Sequence, residues 1–415
     1  MTTSSQASEP DRPARPDARA RSTLRVCCTL HALHDGLVDM LYALLPVLAE
    51  FFGLNYAQVG MIRAANKAAT ASLQIPAGLL SERIGERVLL IGGTALAGLA
   101  FLALGQVSGF PMVLAMFFLA GAGAAVQHPL SSAMITAAWS GPGRRAALGT
   151  YNTFGDIGKF AFMGLAVLLL GGGLSWTVPV TLFGVAALAC AALAAWLLRD
   201  VSGPSHHGPA ATASGPQLKT SGWGLKNPRA FAALGAVATL DSATRSGFLT
   251  FAAFLMIEKG LDVAWAGSAV LLALLGGMCG KFACGLIAER IGVARAIIVT
   301  ELLTGIGIAL VVMLPAIWGF ALLPLLGVVL NGTSSVIYGS VGDLIEEGRH
   351  ARAFGFVYTL GSVCGIVAPL AYGALADAIG VQQSMLIAAL TILLTLPLCI
   401  PLSTARAFPA LRRPT

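Results

Sequence analysis

Twelve long hydrophobic segments follow one another along this chain of 415 residues, and they constrain its fold more than any other feature. A helix needs about 20 apolar residues to cross roughly 30 Å of hydrocarbon. The segments, numbered 1 to 12 in chain order, cover residues 24–52, 56–80, 88–107, 110–138, 146–170, 176–198, 229–257, 263–288, 293–314, 316–344, 350–374 and 380–403. Only 11% of the residues are charged, against about 25% in soluble domains. The sequence therefore predicts an all-α membrane protein with twelve transmembrane helices.

The positive charges between the segments indicate how the chain crosses the membrane. Of the 26 Lys and Arg residues, five lie in the interior of segments, and Lys259 lies in a loop on one side. The other 20 lie on the side of the termini, in the tails, in the loops or at the ends of segments. Because Lys and Arg are enriched in cytoplasmic loops, both termini are predicted to be cytoplasmic, in a multi-pass protein of a bacterial inner membrane. The bases are scattered rather than gathered in a patch, so no nucleic-acid partner is expected.

Polar stretches divide the chain into two bundles. Residues 1–22 are rich in Pro and Arg and lack the apolar run of a signal peptide, so they are predicted to be a disordered cytoplasmic tail. Residues 200–228 are rich in Pro, Gly and Ser and predict a cytoplasmic linker. The linker separates six-helix bundles at 23–199 and 229–403, and residues 404–415 form a second tail. His206 and His207 are interpreted as linker residues, and the seven cysteines lack metal-ligand spacing. Hence no metal and no cofactor are expected, and we expect a monomer.

One short charged motif occurs twice. The copy after segment 2 contains Gly78, Glu82, Arg83, Gly85 and Arg87. The copy after segment 8 begins 207 residues later and contains Gly285, Glu289, Arg290 and Gly292. Both copies lie on the same predicted side, so the halves are parallel repeats. Two-domain secondary transporters have this arrangement, with a site near the bilayer midplane between the repeats.

The spacing Gly-x-x-x-Glu-Arg-x-Gly-x-Arg between segments 2 and 3 resembles the signature loop of the major facilitator superfamily. The resemblance implies two pseudo-symmetric six-helix bundles, the major facilitator fold. It also implies that Glu82, Arg83 and Arg87 act as a charge-relay latch that closes the cytoplasmic side in the outward-open state. Glu86 stands where many members have a basic residue.

The N-terminal half has a narrower resemblance, to the fosmidomycin-resistance-type drug exporters. The matching stretches are 30–36, 45–51 and 58–62, then 121–123, His128-Pro129 and Ser131-Ser132. Leu130 stands where that group usually has an acidic residue between the His-Pro and the serines. The resemblance implies drug efflux and a role in antibiotic resistance.

Ionisable residues inside segments 1 and 2 are the strongest indication of a transport site. His31, Asp35 and Asp39 lie at four-residue spacing on one face of segment 1, and Arg63 and Lys67 have the same spacing in segment 2. Each charge at the bilayer centre costs at least about 2.5–3.5 kcal/mol, so each needs a partner or a wet cavity. Segments 1 and 2 are antiparallel neighbours, and Asp35 matches Lys67 in depth as Asp39 matches Arg63. This predicts the ion pairs Asp35–Lys67 and Asp39–Arg63, or one of these pairs plus a solvated charge.

Further buried charges occur in segments 5, 7 and 8. Segment 7 contains Asp241 and Arg245, and Lys281 of segment 8 is predicted to lie near Asp241 in depth. Segment 5 contains Asp156 and Lys159 among several glycines. A carboxylate whose basic partner is withdrawn takes up a proton, so such pairs suit proton coupling. The predicted proton-coupling acids are Asp35 first, then Asp241, Asp156 and Asp39. The alternative is that the pairs are static contacts between helices.

Several side chains are predicted to line a central cavity. They are His31, His34, Arg63, Lys67, Gln74, Gln127, His128, Asn152, Lys159, Arg245, Lys281, Asn331 and Tyr338. His128 precedes Pro129 and either bonds the carbonyls freed at a kink or contacts substrate. For the amides and hydroxyls, hydrogen bonds between helices are an equal alternative.

These features together favour a secondary active transporter that works by alternating access. We expect a proton-coupled exporter, an antiporter, of a small molecule, and the five intramembrane bases favour an anion. Its partners would be that substrate, protons and the lipid bilayer. One alternative is a proton symporter that imports an organic anion, and another is a scaffold or sensor that does not transport. Neither a phosphate-binding loop nor a nucleophile with a base occurs, so no enzyme is expected.

Overall fold

The computed structural model describes residues 18–139, 141–199, 224–346 and 350–404. Within these ranges the chain is nearly all helical. The N-terminal half contains α1 (Ala18–Phe52), α2 (Tyr56–Ile84), α3 (Glu86–Leu104), α4 (Phe110–Ala124), α5 (Gln127–Ala138), α6 (Gly141–Gly171) and α7 (Thr177–Leu197). The C-terminal half contains α8 (Pro228–Glu258), α9 (Gly267–Ile291), α10 (Val293–Met313), α11 (Ala316–Val341), α12 (His350–Ile379), α13 (Val381–Leu393) and α14 (Thr395–Thr404). Most of the predicted tails and of the linker, with His206 and His207, lies outside the described residues.

Each of the twelve predicted segments coincides with one helix or with two in line. Segment 4 is α4 followed by α5, interrupted at residues 125–126, and segment 12 is α13 followed by α14. Pro129 and Pro397 follow these interruptions, and a proline lacks the N–H that would continue the helical ladder. The first helix begins at Ala18, so the last residues of the predicted N-terminal tail are helical.

The surface of the bundle is apolar along much of its height. Among the described residues, ten spans are long and apolar enough to cross a membrane by length and composition. The other two segments, α2 and α8, are long enough but more polar. Large apolar side chains such as Leu168, Leu182 and Leu390 are exposed, which suits contact with lipid rather than water.

The backbone repeats itself between the two halves. Three pairs of glycines with positive φ are each 207 residues apart, namely Gly53 with Gly260, Gly85 with Gly292, and Gly173 with Gly380. The offset that the charged motif gives at one loop therefore holds at three loops. Position by position, α1, α2 and α3 correspond to α8, α9 and α10.

The two halves meet tightly on the side opposite the helix ends Ala18 and Thr404, here called the distal side. Gly60 and Gly373 let α2 and α12 approach closely, because a Cβ on either would overlap a backbone carbonyl of the other helix. Asp377 of α12 adds a polar link. Its carboxylate oxygens accept hydrogen bonds from the Tyr56 and Ala57 N–H groups at the start of α2, at 2.8 and 2.9 Å.

On the side of Ala18 and Thr404, here called the terminal side, large side chains of the same two helices are exposed. Ile75 and Leu79 of α2 and Phe356 and Tyr358 of α12 are exposed there. The space between the halves therefore opens toward the terminal side and is closed on the distal side.

Candidate functional site

A cavity of about 250 Å³ lies between the two halves. Its wall includes all five bases predicted inside segments: Arg63, Lys67, Lys159, Arg245 and Lys281. Polar and acidic groups complete it, among them Asp39, Tyr42, Asp156, Ser242, Asn331 and Ser334. Both halves contribute, so a bound molecule would contact the two bundles at once. A second cavity of about 180 Å³ lies within the N-terminal half, beside Asp35 and His128.

A chain of ion pairs runs from the N-terminal half into the C-terminal half. Lys159 Nζ lies 3.1 Å from an oxygen of Asp35 and 3.4 Å from an oxygen of Asp156. Asp156 in turn lies 2.8 Å from Lys281 Nζ of α9. One lysine is thus shared by two carboxylates, and one of those carboxylates is shared by both halves of the molecule.

The predicted pairing of Asp35 with Lys67 and of Asp39 with Arg63 is wrong. The helix that packs along α1 is α6 rather than its chain neighbour α2. Gly158 makes this possible, because a Cβ there would overlap the backbone of Ala32. The close approach of α6 places Lys159 rather than Lys67 against Asp35.

Histidine 31 completes the surroundings of Asp35. Its Nδ1 lies 2.8 Å from the Tyr151 carbonyl oxygen, which can only accept, so Nδ1 bears the proton. In the neutral ring, Nε2 then presents a lone pair to the Asp35 oxygen 3.3 Å away. Two acceptors facing each other repel, and a proton between them would turn the contact into an imidazolium–carboxylate pair.

His128 approaches Asp35 from the other side, with Nε2 at 3.4 Å. His128 was predicted either to bond carbonyls freed at the kink or to contact substrate. In the structure its side chain is half exposed to the cavity and lies against the Asp35 carboxylate rather than against a freed carbonyl. The ligand atoms of His31, Asp35 and His128 lie within 4.8 Å of one another, a set that could hold a metal ion. Because the Lys159 ammonium already neutralises Asp35, the arrangement suits a proton better than a divalent cation.

Two bases in the central cavity have no carboxylate partner among the described residues. Arg63 donates to the Tyr42 hydroxyl at 2.7 Å, and its guanidinium lies 4.4 Å from the centre of the Tyr42 ring. Its Nε and Nη1 are buried without a hydrogen-bond partner. Lys67 lines both cavities and forms no ion pair with a described residue. Lys67, which is half-buried, therefore leaves positive charge at this wall available to an anion.

The C-terminal half has a smaller set of charges. Asp241 lies 3.7 Å from Arg245, as the four-residue spacing predicts. Lys281, predicted to lie near Asp241 in depth, points its ammonium across the interface to Asp156. A further acid, Glu301 of α10, is fully buried and was not singled out from the sequence. The signal was available, since Glu301 is the lone acid in segment 9.

The remaining predicted cavity residues are divided between the cavities and the helix packing. Asn331 lines the central cavity, whereas Gln74, Gln127, Asn152 and Tyr338 line neither of these two cavities. Tyr338 stacks on Tyr358, and Gln127 is fully buried in the N-terminal half. His34 Nε2 donates to Thr94 Oγ1 of α3 at 3.0 Å, because that hydroxyl itself donates to the Leu90 carbonyl.

The repeated charged motif lies on the terminal side. Arg87 donates to the carbonyls of Ala195 and Arg199, both at 2.9 Å, and so ties α3 to the end of α7 within one half. Glu82 and Arg83 are exposed and form no ion pair with another described residue. In the second copy, Glu289 and Arg290 are exposed as well.

The glycines of the motif have two different environments. Gly85 and Gly292 adopt φ of 89° and 86°, which explains why the motif needs glycine there. Gly78 and Gly285 have open space where a Cβ would lie.

Comparisons with known proteins agree with this architecture. The family model described as Major Facilitator Superfamily matches residues 27–277 and 234–412. An uncharacterized MFS-type transporter, YfnC of Bacillus subtilis (strain 168), is 27% identical over 366 residues, which is 86% of this chain and 87% of that protein. The fosmidomycin resistance protein of Escherichia coli (strain K12) is 30% identical over 165 residues, 38% of this chain and 40% of that protein.

Solved structures show the same fold at low sequence identity. A bacterial homolog to the human lysosomal transporter Spinster, in an inward-facing and unoccupied conformation, superposes with a TM-score of 0.76 at 14% identity, covering 92% of this chain and 96% of that one. A single-residue mutant of the nucleoside transporter NupG gives a TM-score of 0.74 at 15% identity, covering 91% of this chain and 99% of that one.

Proposed function

Because the chain belongs to the major facilitator superfamily, we propose that it is a proton-coupled exporter of a small anionic molecule. It is a multi-pass membrane transporter by family. The proposal adds the direction, the coupling ion and the substrate class. It also places the protein as a monomer in the lipid bilayer of a bacterial inner membrane, with the terminal side and both termini in the cytoplasm.

The shared lysine is the observation on which the proton coupling rests. When a proton reaches Asp35, the neutral carboxyl group no longer holds Lys159. Lys159 then turns to Asp156 and competes with Lys281 for it. Protonation in the N-terminal half thereby loosens a contact between the halves, and alternating access requires such a link between proton and conformation.

The substrate class rests on the unpaired bases. Arg63 and Lys67 face the central cavity, and across it Arg245 is held only by the 3.7 Å contact with Asp241. A carboxylate, phosphate or phosphonate would find two charges on one half and one on the other. Arginine binds such groups with paired donors. The similarity to a fosmidomycin resistance protein makes phosphonate drugs, and hence drug efflux and antibiotic resistance, the first class to test.

The opening of the central cavity toward the terminal side fits the loading of substrate from the cytoplasm. With the terminal side in the cytoplasm, the open cavity would receive a cytoplasmic substrate for export. Glu82, Arg83 and Arg87, with their counterparts Glu289 and Arg290, would form the latch in the opposite state, when the terminal side closes. Their exposure in the present state is what an unlatched loop requires.

The experiment is substrate-dependent proton flux in proteoliposomes, with a panel of phosphonates, carboxylates and lipophilic cations. We expect flux with one anion class, its loss in Asp35→Asn, and unchanged flux in Asp343→Asn, which alters an exposed acid outside the cavity. Flux with cations alone would overturn the anionic substrate, and flux that survives Asp35→Asn would overturn Asp35 as proton carrier. A pH change of opposite sign, with anion accumulating alongside protons, would replace export by symport.

A further inference from the structure

Glu301 places an unpaired carboxyl group inside the C-terminal bundle. The residue is fully buried in α10, and neither carboxylate oxygen has a hydrogen-bond partner among the described residues. Apolar core residues such as Ile297 lie on the same helix. A carboxylate left ionised in such surroundings would be strongly disfavoured. The site therefore needs either a proton or a second group to balance Glu301.

The repeat identifies the group that faces Glu301, and that group is a second acid. In the N-terminal half, His34 of α1 and Thr94 of α3 form a buried hydrogen bond of 3.0 Å. The offset of 207 residues, which relates three pairs of positive-φ glycines, converts these two positions into Asp241 of α8 and Glu301 of α10. The position of a hydrogen-bonded pair in one half is thus occupied by two carboxyl groups in the other. Consistent with this placement, the two carboxyl groups lie close enough to interact electrostatically.

Few charges are available to balance the two acids. On α8, Arg245 lies 3.7 Å from Asp241 and is the basic group that interacts with both acids. The other titratable groups that interact with these two acids are three thiols and one phenol, on helices that pack nearby. Glu301 interacts with Cys284 of α9 and Cys399 of α14, and Asp241 interacts with Tyr338 of α11 and Cys364 of α12. Helix α13 has no titratable residue. One positive charge therefore faces two acids.

We propose that Asp241 and Glu301 share one proton and form a second protonation site, in the core of the C-terminal half. With Arg245 balancing one negative charge, the second carboxyl group is held neutral, as two adjacent carboxylates cannot both ionise. The proton is the ligand of this site. The charges then sum to zero: one arginine, one carboxylate and one carboxylic acid.

Arg245 connects this site to the central cavity, and this step rests on the proposed transport of an anion. Arg245 lines the cavity wall, so an anion that binds its guanidinium competes with Asp241. Asp241 then loses its counter-charge and takes a proton from the cavity water, while Glu301 keeps the proton it already holds. Departure of the anion returns Asp241 to Arg245 and releases that proton. The C-terminal half would thus carry one proton in the same direction as the anion, and the opposite proton movement that drives export would depend on Asp35 in the N-terminal half.

The test is infrared spectroscopy of the purified protein at alkaline pH, without substrate or gradient. We expect an absorption band of a protonated carboxylic acid that disappears in Glu301→Gln. The band should also be lost in Asp241→Asn, because Glu301 then ionises beside Arg245. It should persist in Glu258→Gln, which changes an acid at the distal end of α8. If Glu301→Gln does not fold, Glu301→Asp serves instead, since it shifts the band rather than removing it.

The outcomes separate this site from the transport proposal. Absence of the band in the wild-type protein, or a band unchanged in both Glu301 variants, would overturn the shared proton. A band assigned to Glu301 in a protein that moves no protons in proteoliposomes would support the site and contradict proton-coupled transport.

Discussion

Asp156 of α6 and Lys281 of α9 form an ion pair that joins the two halves of the molecule, with Nζ 2.8 and 2.9 Å from the two carboxylate oxygens. The pair lines the central cavity, where a substrate would bind. It is also one contact away from Asp35, through Lys159. A change of charge at either end of this series of ion pairs therefore affects the interface between the halves.

The energy of this ion pair can be measured by a double-mutant cycle of Asp156→Asn and Lys281→Met. Both side chains are partly exposed, at 26% and 44%, so the coupling should be about 1 kcal/mol or less. Thermal unfolding in detergent gives the two single effects and the double one. Effects that simply add would show that the contact contributes nothing to holding the halves together.

Removal of the shared lysine should uncouple proton movement from transport. In Lys159→Gln, Asp35 loses its ammonium partner and Asp156 keeps only Lys281. We expect proton-driven transport to fall at least about tenfold, since loss of a buried charge partner costs several kcal/mol. Lys159→Arg is the matched control, because it keeps the charge, and should retain part of the activity. Equal loss in both variants would point to packing rather than charge.

The repeat and the charged positions could be predicted from sequence because each leaves a local signature. The motif that begins at Gly78 and returns at Gly285 gives the offset directly, and the positive-φ glycines follow it. Arg245 and Asp241 lie one helical turn apart, so their pairing depends only on helix geometry.

The partners of Asp35 could not be predicted, because they depend on which helices pack together. Depth matching treats α2 as the neighbour of α1, whereas Gly158 allows α6 to take that position. The interface pair of Lys281 with Asp156 has the same origin, since the residues are 125 positions apart. Rotation of a helix about its own axis leaves no trace in a single hydrophobic pattern.

The approach of α6 to α1 predicts a sharp difference between two glycines of one helix. In Gly158→Ala the new Cβ meets the backbone of Ala32, which cannot move aside, so the helices must separate. We expect a loss of about 1–3 kcal/mol in stability from this overpacking. Gly149→Ala is the control, because nothing lies within 4 Å of its Cβ position. That variant should be neutral or slightly more stable, by up to about 1 kcal/mol. Thermal unfolding of the two purified variants decides the point, and equal stability would contradict the packing described for α1 and α6.

The distal closure should depend on Asp377. Its carboxylate accepts two backbone hydrogen bonds at the start of α2, where the helix dipole favours a negative charge. Loss of a comparable helix cap costs about 0.5–2 kcal/mol. Because the contact exists only while the distal side is closed, Asp377→Ala should shift the population toward the state that is open on that side. Asp377→Asn keeps one acceptor oxygen and should give an intermediate shift.

Distances between spin labels on the two distal surfaces measure this shift directly. Ser108 of the N-terminal half and Gln383 of the C-terminal half are exposed and suit labelling in a variant without reactive cysteines. We expect the long-distance population to rise in the order wild type, Asp377→Asn, Asp377→Ala. The same distribution in all three would mean that the close packing of Gly60 and Gly373 alone holds the distal side closed. A rise in Asp377→Ala would instead show that closure requires the carboxylate, because the substitution leaves both glycine contacts in place.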